Sequence, residues 1–100
     1  MGKYYSFVAS SISNANWMPE YMAAVPSLVA KHGGRYLAAT AIIDRMEGDG
    51  PKPSGISILE WPSKEAAKAF FTDPDYAPYL QARLAGSTGV NYLVPSADDD

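Results

Sequence analysis

The chain has 100 residues, 47% of them apolar, with 8 basic and 11 acidic side chains and no cysteine. That is enough for one domain with one modest core, and too apolar for a disordered chain. Scattered basic residues argue against a nucleic-acid partner, and the missing cysteine excludes disulfides, zinc–thiolate sites and thiol nucleophiles.

Lys3 to Ile12, KYYSFVASSI, alternates with period two and predicts a first strand. Ser13-Asn14-Ala15-Asn16 is a turn, and Asn14 or Asn16 can cap the helix that follows. That helix carries Trp17, Tyr21, Val25, Leu28 and His32 as one stripe at steps of four and three. Pro19 suits its first turn; Pro26 lies in its interior and predicts a bend or break between Met22 and Pro26. Gly33-Gly34 ends it.

Arg35 to Ile43 predicts a second strand, Glu47 to Gly55 a hairpin loop, and Ile56 to Trp61 a third strand. Ser63 then caps a second helix whose buried side is Ala66, Ala67, Phe70 and Phe71. Asp73-Pro74 restarts a short helix running to about Leu84, and Val90 to Val94 is a last strand that Pro95 stops. Residues 1–95 thus form one domain, with 96–100 as an acidic tail. No signal peptide and no apolar run of membrane-spanning length is visible, so the expectation is a cytoplasmic protein with no membrane partner.

The order β-α-β-β-α-β predicts an α+β fold, the ferredoxin-like plait, with strands 1 and 3 central and 2 and 4 at the edges. Its helices cover one face of the sheet. Both parities of the first strand nevertheless carry large apolar side chains, Tyr5 and Phe7 against Tyr4 and Val8. The bare face then needs a cover, and the simplest is a second copy, giving a homodimer.

Tyr21, AVPSLVAKHGGRYL, EGD at Glu47 to Asp49, LEWPSKEAAKAFF and DPDYAPYLQAR resemble the family known as domain of unknown function 1330, DUF1330. The resemblance runs from about Tyr5 to Val94; Gly33-Gly34-Arg35 and Glu60-Trp61-Pro62-Ser63 are its most specific pieces. Trp61 departs from the phenylalanine usual there. The resemblance implies a dimeric α/β barrel with a small-molecule pocket in each subunit, between sheet and helices. Fold relatives span cofactor-free monooxygenases, isomerases, haem enzymes and plain binders, so fold alone does not set the function.

The plait brings Tyr4 or Tyr5, His32, Arg35, Glu60 and Ser63 towards one end of the sheet. His32, the only histidine, is either an acid–base catalyst or a helix-terminal side chain holding the last carbonyls. Glu60 is either a general base in an apolar setting or a structural partner of Arg35 on the neighbouring strand. Arg35 in turn either clamps a substrate anion or pairs with Glu60. Trp17 and Tyr21, with Phe70 and Phe71, suit the wall of an aromatic-binding pocket, and equally a plain core; Tyr5 is a further candidate substrate contact. Glu47 and Asp49 are a solvated turn or a lid. One histidine without cysteine argues against a metal, and no cofactor motif appears. Two functions stay open: a cofactor-independent enzyme acting on a small apolar or aromatic carbonyl or hydroxy compound, or a non-catalytic binding or stress-related dimer.

Overall fold

The computed structural model describes residues 2–97. The elements run Tyr4–Ile12 (β1), Met18–Lys31 (α1), Arg35–Thr40 (β2), Gly55–Trp61 (β3), Lys64–Phe71 (α2), Ala77–Gly86 (α3) and Ser87–Pro95 (β4). The strands form one antiparallel sheet in the order β2-β3-β1-β4. This is the expected ferredoxin-like α+β plait, with its central and edge strands where the crossover rule puts them. Asp98, Asp99 and Asp100 of the expected acidic tail lie outside the described residues.

Register fixes which side chains share a face. Tyr5 stands opposite Glu60 and Glu60 opposite Arg35, whereas Ser6 stands opposite Leu59 and Leu93. Because strand side chains alternate, the two sets point to opposite faces. An irregularity between Tyr36 and Ala38 inserts Leu37, so that Tyr36 joins the helix-covered face and Ala38 the other.

The core lies under the helices. Trp61, Tyr76, Val25 and Val29 are almost completely buried, and Leu59, Ala67, Phe70 and Leu80 join them. The rings of Phe70 and Tyr76 lie 4.3 Å apart, and those of Trp61 and Phe70 5.1 Å apart. Trp61 donates from Nε1 to Ser6 Oγ at 2.9 Å, so its one polar atom is satisfied. Gly33 takes φ +79°, the left-handed turn that ends α1, and Gly34 lets Trp61 lie against the backbone. A Cβ on Gly34 would sit 2.6 Å from Trp61 Cζ3.

Several local expectations are corrected. Neither Asn14 nor Asn16 caps α1; Asn14 Oδ1 accepts from the Asn16 amide at 2.8 Å in a local turn, and Trp17 holds the cap position without a side-chain bond. Pro26 does not split α1, which continues through it. An interior proline costs about 3 kcal/mol, but fully burying a valine returns about 1.5–3 kcal/mol, and Val25 and Val29 flank it. Ser63 does cap α2, accepting from the Ala66 amide at 3.0 Å. Phe71 is exposed rather than buried, because Phe70, a hundred degrees around the helix, takes the inward position. The Asp73-Pro74 restart is a turn, closed by the Asp75 amide on Asp73 Oδ1 at 2.9 Å, and α3 begins only at Ala77. β2 stops at Thr40, whose Oγ1 accepts from the Ile42 amide at 2.9 Å in a local turn, and β4 starts early because β1 pairs as far as Ile12 with Ser87.

Candidate functional site: a cavity beneath helix 1

A cavity of about 760 Å³ opens between the helix-covered face of the sheet and the helices. Volumes of this size hold small organic ligands. Its walls are mainly apolar, from Val25 and Val29 on α1, Val8 and Leu59 on the sheet, and Trp61 and Phe70. These positions follow from the α1 stripe and the even parity of β1.

One corner is polar. Tyr21 and Tyr76 share a hydrogen bond, Oη to Oη, at 2.8 Å. Arg83 Nη2 lies 3.5 Å from the Tyr76 oxygen, a weak donor contact. Trp17 meets Tyr21 edge-to-face with centroids 5.2 Å apart. All four side chains line the cavity. Burial, reinforced by Tyr76, pushes the Tyr21 phenol above its ordinary pKa, so it stays protonated and serves as a hydrogen-bonding group rather than a base. Gly86 sets the depth of this corner: a Cβ there would lie 2.6 Å from Trp17 Nε1.

The sequence-derived candidates divide among three places. Trp17 and Tyr21 line the cavity as expected. Tyr5, Arg35 and Glu60 lie together at the end of the sheet, but on its bare face and outside the cavity lining. There Arg35 Nε donates to Glu60 Oε1 at 2.9 Å, Tyr5 Oη donates to Oε2 at 3.4 Å, and Lys3 Nζ stands 3.7 Å from Oε2. The hydrogen bond from Arg35 is the main cause that holds the Glu60 carboxyl below its usual pKa, against the opposing effect of burial.

His32 also lies outside the cavity lining. Its Nε2 is 2.7 Å from Asp73 Oδ2, and Lys31 Nζ donates to the same oxygen at 2.9 Å. The Asp73 side chain is 7% exposed, and His32 is the first cause of a carboxyl pKa well below the usual range. This cluster fastens the end of α1 to the turn between α2 and α3. Glu47 and Asp49 lie on an exposed loop. Among the described residues, no group of three or more His, Cys, Asp or Glu is placed to hold a metal.

Tyr76 and Arg83, within the helix expected from Asp73 to about Leu84, were not among the sequence-derived candidates. A signal was there: Tyr76, Leu80, Arg83 and Ser87 recur at steps of four, three and four, an inward stripe into which a charged residue intrudes.

The sequence profile of Domain of unknown function (DUF1330) matches residues 3–97. The chain belongs to the DUF1330 family. No curated protein sequence matches it. Among solved structures, a protein of unknown function from Rhodopseudomonas palustris, RPA0582, superposes with a TM-score of 0.76 at 15% identity, over 95% of this chain and 81% of that one. SnoaB from Streptomyces nogalater, a cofactor-independent oxygenase, superposes with a TM-score of 0.69 at 16% identity, over 96% and 94%. At such identities the likeness establishes the shared fold. Among the described residues no helix is long and apolar enough to cross a membrane.

Proposed function

We propose that this DUF1330 protein is a homodimer that binds a small, flat, largely apolar hydroxy or carbonyl compound in the cavity of each subunit. The observation that carries this reading is the cavity itself: apolar walls of ligand-accommodating volume with hydrogen-bonding groups at one corner. Trp17 and Tyr21 are its substrate-contacting residues, with Tyr76 and Arg83. The second copy covers the bare face, where Phe7, Leu37, Val90, Tyr92 and Val94 stand exposed. An interface of on the order of 2,000 Å² suits a surface of that kind.

A second reading, turnover without a cofactor, is favoured by the likeness to the oxygenase SnoaB. In either case Glu60 and Arg35 serve as a structural pair and His32 as the partner of Asp73, since neither His32 nor Glu60 lines the cavity. The test is calorimetric titration of the wild type and of Ser10→Phe, which fills the cavity, with a panel of two- and three-ring aromatic hydroxy and carbonyl compounds. Micromolar binding lost in Ser10→Phe, with unfolding unchanged, supports the reading; no binding by any member overturns it. Oxygen uptake with a bound compound separates turnover from binding.

A further inference from the structure

Among the described residues, the cavity lining contains Arg83 and Lys68 and no aspartate, glutamate or histidine, in a chain whose formal charge is −3. Lys68 is exposed, but Arg83 is largely withdrawn from solvent at the polar corner. Among the described residues no carboxylate lies within ion-pair distance of Arg83, although those of Arg35 and of Lys31 and His32 are satisfied by Glu60 and Asp73. Its interactions are instead with neutral oxygens: Nη2 faces Tyr76 Oη at 3.5 Å, and the backbone carbonyl of Arg83 accepts from Ser87 Oγ at 2.6 Å. Arg83 Nε and Trp17 Nε1 are buried donors without hydrogen-bond partners among the described residues. A withdrawn cation that faces only the neutral hydroxyls of Tyr76 and Tyr21 is costly unless an anion completes it.

We infer that the polar corner is an anion subsite, in which Arg83, backed by the Tyr21–Tyr76 hydroxyl pair, receives the ionised oxygen group of an aromatic ligand. The inference rests on the cavity being the ligand site. It makes the ligand an aromatic carboxylate or an ionised phenol or enol. It also moves the anion-holding role from Arg35, which is occupied by Glu60 on the other face, to Arg83. With no carboxylate or imidazole among the described lining residues to take its proton, the ligand arrives already ionised, or acidic enough to lose its own proton to water. A planar guanidinium that offers two parallel donors suits either oxygen group.

The experiment is calorimetric titration of the purified protein with three probes of one shape: 2-naphthoate, a nitronaphthol ionised at pH 8, and neutral 2-naphthamide. At least one anion is expected to bind about ten- to a hundredfold more tightly than the amide, the worth of a charge-assisted hydrogen bond. Arg83→Met is expected to abolish that preference while amide binding persists, and Arg83→Lys to keep part of it. Whichever anion is preferred identifies the oxygen group. Equal binding of amide and anions by the wild type overturns the inference and leaves the cavity reading standing. Binding of none of them overturns both. The wild-type comparison needs no variant, so a folding defect in Arg83→Met does not blunt the test.

Discussion

The two faces of the sheet are built from the same strands and do opposite things. Under the helices, even-numbered positions of β1 meet Leu59, Trp61 and Leu93, and the space left between them and α1 is a cavity with a cationic corner. On the other face, Tyr5, Phe7, Ile58, Tyr92 and Val94 form a broad apolar surface with the Arg35–Glu60 pair at one end. Its charges are matched and its hydrocarbon is bare; the covered side has buried its hydrocarbon and left a charge unmatched. Apolar surface in water calls for a partner surface, whereas an unmatched cation in a recess calls for an anion. A one-residue shift of register would exchange the two faces.

The largest effect belongs to the covered face. Phe70→Ala removes the ring that stacks on both Trp61 and Tyr76, and is expected to lose about 3–5 kcal/mol by chemical denaturation. Ligand binding should fall with it. A loss below about 1 kcal/mol would mean that the aromatic cluster does not carry the core.

Tyr92→Lys probes the bare face. Tyr92 pairs with Phe7 across the sheet and is 59% exposed, so the substitution barely touches the single-chain fold. It should weaken the dimer by more than about 2 kcal/mol, as loss of an interface anchor does. In sedimentation velocity the wild type should run at twice the 10.8 kDa chain mass, and the variant should shift towards the single chain. A wild type that sediments as a single chain at micromolar concentration would break the comparison.

The sequence reported this division unevenly. The alternation of KYYSFVASSI showed that both faces of β1 are apolar, and the order of elements placed β1 and β3 at the centre. Tyr5, Arg35 and Glu60 were correctly brought to one end of the sheet, because topology and register fix position along a strand. Which face they occupy depends on the pairing parity and on the Tyr36–Ala38 irregularity, which local pattern does not reveal. Arg83 was legible only through its place in a buried stripe, and the stripe carries meaning once Tyr21 is known to lie across from Tyr76. Ser63 caps α2 as expected, but Asn14 and Asp73 close their own turns instead of starting helices, a choice open to any short polar side chain.

Acid should find both carboxylate clusters, Arg35–Glu60 on the bare face and Asp73 with Lys31 and His32 beside the helices. Glu60 and Asp73 have folded pKa values below their ordinary ones. Each therefore contributes stability that is present above the ordinary carboxylate range, near about pH 4, and lost as pH falls through it towards the lowered value. Denaturation midpoints should decline below about pH 4, and Asp73→Asn should flatten that decline more than Glu60→Gln, because Arg35 is largely solvated while Asp73 is enclosed by Lys31 and His32. Equal slopes in all three proteins would remove both carboxylates from the account.

Ser63→Ala sits on neither face and serves as the reference. It removes the α2 cap and should lose about 1 kcal/mol, with dimerisation and ligand binding unchanged. A change in either would show that the faces are coupled through α2.

The division of labour is tested most directly by titrating 2-naphthoate into protein labelled at valine, leucine and isoleucine methyl groups and following the NMR spectrum. The account predicts ring-current shifts at Val8, Val25, Leu59 and Leu93, which line the cavity, and none at Ile58, Val90 and Val94 on the bare face. Shifts centred on Ile58, Val90 and Val94, with the cavity methyls unmoved, would contradict it.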